Sequence, residues 1–142
     1  MMSIDRLKHS YAVANKMMEI GKKMGLSDKE LEDLFLLGLV HDIGYQFDNN
    51  DSHAIIGANI LENNNYKYSK EVLYHGKSES EYHSLYLDIL NLADMMIDKS
   101  GNDVGTEKRL EDIKSRYGEN SNIYKKAKIL IDSLRREVNK NE

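Results

Sequence analysis

The chemistry open to this chain lies in its histidines and a few aspartates. His41 and Asp42 are adjacent, which brings an imidazole nitrogen and a carboxylate oxygen to nearly one point in space. His9 lies upstream and Asp94 downstream, and the four together make a minimal divalent-metal site. Mixed nitrogen and oxygen donors suit Mn, Fe, Co, Ni or Zn, and Mg less well. Neighbouring helical residues point about 100° apart, so His41 and Asp42 share an ion only if it sits between their side chains. Asp94 stands within Leu92-Ala93-Asp94-Met95-Met96-Ile97. A carboxylate on an apolar helix face must be paired, protonated or metal-bound. For Asp94 alone, a buried ion pair is the competing explanation.

His53 and His75 extend the pattern. Each alone reads as an ordinary half-buried histidine at the end of a short helix. Together they supply a second ion, with Asp42 as the bridge from a first ion held by His9, His41 and Asp94. Two ions about 3.5–4 Å apart activate a water and stabilise the charge that develops on a phosphoryl oxygen. The sequence favours this dinuclear arrangement. His83 precedes Asp94 by eleven residues, about 16 Å of helical rise, and is expected at the surface or pocket rim. Lys77, two residues past His75, is the cation best placed to meet a phosphate, with a solvated loop lysine as the alternative. Arg109 and Arg116, two turns apart on one helix face, receive no site role.

Helical elements must position these groups. Apolar residues at helical spacing predict a first helix over Ile4–Met24, stopped by Gly25. Ser27-Asp28-Lys29-Glu30 reads as a capping box opening a second helix that runs through His41-Asp42 and stops near Gly44. A third helix is expected over Ser52–Glu62 and a short fourth over Ser69–Tyr74. Ser78-Glu79-Ser80-Glu81 reads as another capping box, opening the long helix that bears Asp94. Two further helices, about 106–117 and 121–138, are separated by Gly118 and carry no histidine. The prediction is an all-α helical bundle in one domain, with a metal-site core over about 5–98, the site between helices, and C-terminal helices as support.

The bulk composition agrees. The chain has 142 residues, 40% hydrophobic and 31% charged, enough for a real core in one domain. The absence of cysteine excludes thiolate ligands and disulfides, and the absence of proline fits uninterrupted helices. No apolar run approaches the roughly 20 residues that span a bilayer. Met1-Met2-Ser3-Ile4 runs into Asp5-Arg6 without the apolar stretch of a secretory signal, so a cytoplasmic protein is expected. The net charge of −4 argues against a dedicated nucleic-acid binder. Ile123, Ala127, Leu130, Ile131 and Leu134 form a stripe that serves either a homodimer or internal packing.

The order His9…His41-Asp42…Asp94 resembles the signature of the HD superfamily of metal-dependent phosphohydrolases, which is all-helical. The flanking strings resemble it too: Leu39-Val40-His41-Asp42-Ile43-Gly44, His53-Ala54-Ile55-Ile56-Gly57-Ala58, His75-Gly76 and Ala93-Asp94. The resemblance covers about Asp5 to Asp98. It implies hydrolysis of a nucleotide or other small phosphate ester by metal-activated water. One or two divalent ions would serve, with Fe or Mn favoured and Mg, Zn, Co or Ni as alternatives. Asp42 would be ligand, bridge and holder of the nucleophile. His53 and His75 resemble the extra ligands of branches that hold two metals. Several hydrolytic branches carry a lysine in an HDIGK string where this chain has Tyr45. The Gly-Tyr-Pro element of the cyclic-dinucleotide branch is absent, which disfavours that substrate. The resemblance also admits a mixed-valent di-iron oxygenase and a non-catalytic metal-binding module.

Overall fold

The structure, a computed structural model, describes residues 3–46, 53–76 and 81–139. Among these its regular elements are seven α-helices and one 3-10 turn, with a single isolated bridge between Ile97 and Asp103. Helix α1 spans Ile4–Lys23, and the Ser3 hydroxyl accepts from the Arg6 amide to cap it. One face buries His9, Val13, Met17 and Ile20, the three- and four-residue spacing of a helix stripe. His9 thus belongs to the packed face and points inward. Helix α2, Asp28–Val40, opens on the expected capping box, with Ser27 and Glu30 each satisfying the other's amide. It buries Leu31, Leu34 and Leu37 against α1.

The two helices approach closely because Gly38 has no side chain. A Cβ there would stand 2.5 Å from the Cα of Ala14. α2 stops at Val40, short of the expected end. His41 is its C-cap, and Asp42 leads into the 3-10 turn Ile43–Gln46. The His-Asp pair therefore sits just beyond a helix rather than within one. Gly44 packs closely on the start of α3: a Cβ at Gly44 would lie 1.8 Å from the His53 carbonyl oxygen. Helices α3 (His53–Asn63) and α4 (Ser69–Tyr74) follow, close to the expected bounds.

Helix α5 runs Leu85–Met96, with Ser84 as its N-cap. The capping box expected from residue 78 does not open it: Glu81 to Ser84 are not helical, and Ser78 to Ser80 lie outside the described residues. The Tyr82 and Ser84 hydroxyls both donate to Glu71 on α4, which holds this stretch against α4, and Ser84 Oγ accepts from the Leu87 amide where the helix begins. His83 is exposed there, as expected of a surface residue, though it precedes the helix that bears Asp94. After α5 the chain folds back through the Ile97–Asp103 bridge. Gly101, at φ +90°, lies so near Lys8 that a Cβ would meet the Lys8 carbonyl oxygen at 2.8 Å. Helices α6 (Gly105–Tyr117) and α7 (Asn122–Asn139) pack on each other and on α5. Of the C-terminal stripe, Ile131 is buried and Ile123 exposed, while the side chains of Leu130 and Leu134 lie outside the described residues.

The core joins Val13, Met17, Leu34, Leu37, Val72, Ile89 and Leu90, all fully buried. Each such side chain contributes about 1.5–3 kcal/mol of transfer free energy. That packing fixes α1, α2, α4 and α5, the elements that carry or flank His9, His41, His75 and Asp94. No helix among the described residues is long and apolar enough to cross a membrane.

Candidate metal centre

Six side chains converge between these helices: His9, His41, Asp42, His53, His75 and Asp94. Asp42 stands in the middle, and its two oxygens face different neighbours. Oδ2 lies 3.4 Å from His41 Nε2 and 3.7 Å from His9 Nε2. Oδ1 lies 3.4 Å from His75 Nε2 and 3.6 Å from His53 Nε2. Asp94 Oδ1 completes the first side, 2.8 Å from His9 Nε2 and 3.5 Å from His41 Nε2. Two sets of donor atoms thus come within 4.8 Å of one another: His9, His41 and Asp94, and His41, Asp42 and His75.

Local backbone contacts aim the imidazoles. His9 Nδ1 donates to the Asp98 carbonyl at 2.8 Å, His41 Nδ1 to Gly38 at 2.7 Å, and His75 Nδ1 to Val72 at 2.5 Å. A carbonyl only accepts, so the hydrogen sits on Nδ1 and a neutral ring presents a bare Nε2 lone pair to the centre. This is the outer-shell bond that orients metal-binding histidines. His41 Nε2 is shielded from solvent and makes no hydrogen bond of good geometry. A buried nitrogen that faces two carboxylates at 3.4–3.5 Å without a hydrogen bond to either is what a divalent cation would satisfy. The residues fit a metal.

The electrostatics agree. Burial opposes charge on His41, but Asp42 and Asp94 outweigh it and push its pKa up to about 9. Burial likewise opposes charge on Asp42, and His41 and His75 overcome it, holding the carboxyl at about 2. For Asp94, His41 and His9 overcome burial and hold it well below the usual carboxylate range. Both carboxylates stay ionised, and protons collect on imidazole in their place. A divalent ion would displace those protons.

Around this centre lies a cleft of about 400 Å³ lined by residues that include Arg6, Tyr45, Met95, Lys99 and Arg109. Arg6 Nη1 donates to Asp42 Oδ2 at 3.3 Å, and its guanidinium covers the ring of Tyr45. The sequence reading missed Arg6, although it lies one helical turn before His9 and so on the same face. It also missed Lys99 and denied Arg109 a role, yet the structure places both in the cleft wall. Lys77, the expected phosphate contact, lies outside the described residues.

No curated protein and no solved structure shows a significant match to the chain. A family model does. It is described as the HD domain and matches residues 6–136, which takes in α6 and most of α7 beyond the segment that carries the His and Asp motifs. With helices that bring those motifs together and a match over nearly its whole length, this chain belongs to the HD domain family.

Proposed function

We propose that the protein is a metal-dependent phosphohydrolase that attacks a small phosphate ester, such as a nucleotide, with water. The division of Asp42 carries this reading: one oxygen faces His9 and His41, the other His53 and His75. That is the arrangement a carboxylate needs to bridge two cations. Divalent ions bound there, Fe or Mn by donor type, would supply the charge that acidifies water and polarises a phosphoryl oxygen.

The chain's own residues do the rest. His9, His41 and Asp94 would hold one ion and His53 and His75 the other, with Asp42 placed between the two sets, where it could accept a hydrogen bond from the attacking water. Arg6 is anchored on Asp42 and brings a guanidinium to the mouth of the site, where a phosphoryl oxygen can meet it. Burial and the two carboxylates raise the Tyr45 pKa against the pull of Arg6, so the phenol remains a neutral hydrogen-bond donor. The same donor set would serve di-iron oxygen chemistry. The cationic lining of the cleft favours an anionic substrate and hence the hydrolase.

The test is turnover of a panel of phosphate esters by protein loaded with Mn²⁺ or, under anaerobic conditions, Fe²⁺. Activity lost in Asp42→Ala supports the reading. Oxygen consumption with an organic substrate, and no phosphate release despite bound metal, would replace it with the oxygenase.

A further inference from the structure

We propose that Arg109 and Lys99 form a subsite for a second phosphoryl group on the substrate, apart from the one presented to Asp42. The inference rests on the phosphohydrolase reading, because it names what else that substrate must carry.

Among the described residues three cationic side chains line the cleft, and they are not equivalent. Arg6 is committed to Asp42 and Tyr45. Lys99 and Arg109 make no ion pair with any described residue. Asp112, one turn beyond Arg109 on α6, pairs with Arg116 instead, at 3.6 Å. Arg109 Nε is shielded from solvent and has no hydrogen-bond partner among the described residues. Leaving such a donor unsatisfied is costly, and more so for a charged group. A guanidinium in the wall of a cleft, uncommitted among the described residues, is open to an acceptor on a ligand.

Charge balance points the same way. Asp42 and Asp94 neutralise one divalent ion. A phosphate monoester at the metal would answer any second ion or Arg6. Lys99 and Arg109 would remain uncompensated. A further phosphoryl group supplies oxygens that match the planar donor fork of arginine and the point charge of lysine. Lys99 comes from the loop after α5 and Arg109 from α6, so the C-terminal helices contribute to recognition as well as to packing. The cleft, at about 400 Å³, falls within the range of small-ligand sites.

Calorimetric titration in buffered free Mn²⁺ tests this without any turnover. The probes are orthophosphate, pyrophosphate and fructose 1,6-bisphosphate, the last carrying its two phosphoryl groups on separate carbons. The expectation is that at least one two-phosphoryl probe binds about tenfold to a hundredfold tighter than orthophosphate. Arg109→Gln should remove most of that gain while orthophosphate affinity and metal content stay as in the wild type. Lys99→Gln, at an exposed position, should remove part of it, and covers the case in which Arg109→Gln does not fold. Equal affinity for all three probes overturns the subsite but leaves the hydrolase reading standing. So does a gain that survives both substitutions. Phosphohydrolase assays that fail while the gain and its loss in the variants persist would sink the hydrolase and keep the anion site.

Discussion

Tyr45 lies nearly flat on His53, with ring centroids 3.9 Å apart and planes 20° from parallel. Arg6 covers Tyr45 too, its guanidinium carbon 3.6 Å from the ring centre. Both partners of Tyr45 end on Asp42, Arg6 on Oδ2 and His53 on Oδ1. The aromatic ring therefore sets where a cation and an imidazole meet one carboxylate. Tyr45→Ala should loosen His53 and weaken the ion on that side by about 10–100-fold, the usual effect of removing a group that orients a ligand. Tyr45→Phe keeps the ring and should stay within about threefold of the wild type. Metal titration of both variants checks this, and a Phe variant as impaired as the Ala variant would shift the role from the ring to the hydroxyl.

Because the oxygens of Asp42 face opposite sets of imidazoles, single substitutions should separate by stoichiometry. His9→Ala and Asp94→Ala remove donors from one side, and His75→Ala removes one from the other. Each should retain roughly half the wild-type metal, whereas Asp42→Ala should retain almost none, as expected if one bridge holds a two-ion clamp. Elemental analysis of protein purified without chelator reads the outcome. Equal losses in all four variants would mean a single ion.

The raised pKa of His41 and the lowered one of Asp42 give the metal-free protein a definite pH profile. His41 has a folded value of about 9 against an ordinary value of 6.5. Its contribution to stability is complete below about pH 6.5 and disappears as pH rises through 9. Asp42, at about 2 against 3.8, contributes above pH 3.8 and loses that contribution as pH falls through 2. The apo protein should therefore be most stable between these limits, with Tm falling by roughly 5–10 °C from pH 6.5 to 9. Metal affinity should move the opposite way and rise over the same interval, since the ion competes with protons. Calorimetric melts with and without Mn²⁺ would show the two trends, and parallel trends would contradict the assignment.

Much of this architecture was legible because its signals are local. The stripe through Val13, Met17 and Ile20 and the Ser27–Glu30 box need only their own helices. The order of His and Asp residues pointed to the centre because helices carry His9, His53 and Asp94, and helix ends carry His41, Asp42 and His75. The start of α5 was not legible. Glu71 is thirteen residues from Ser84 in sequence, and its carboxylate accepts the Tyr82 and Ser84 hydroxyls, while Ser84 Oγ accepts from the Leu87 amide and caps the helix there. Arg6 and Arg109 were hidden by a different ambiguity. A single cation on an amphipathic helix looks alike whether it faces solvent or a cleft, and only the packing of α1 and α6 decides.

That packing depends on Gly38. A methyl group there would meet the Ala14 Cα at 2.5 Å and its nitrogen at 2.8 Å, backbone atoms of a helix that cannot step aside. The Gly38 carbonyl also accepts the Nδ1 hydrogen of His41 at 2.7 Å. One residue thus sets both the spacing of α1 from α2 and the orientation of a central imidazole. In an isolated helix, Gly→Ala would be worth about 0.8–1 kcal/mol of added stability. Overpacking at this contact should reverse the sign and cost about 1–3 kcal/mol, a fall in Tm of roughly 3–12 °C. Since His9 rides on α1 and His41 follows α2, Gly38→Ala should also lower metal affinity, even though it alters no donor atom. Thermal melts and metal titration of this variant decide the matter: a higher Tm with unchanged affinity would show that the two helices do not rest on each other here.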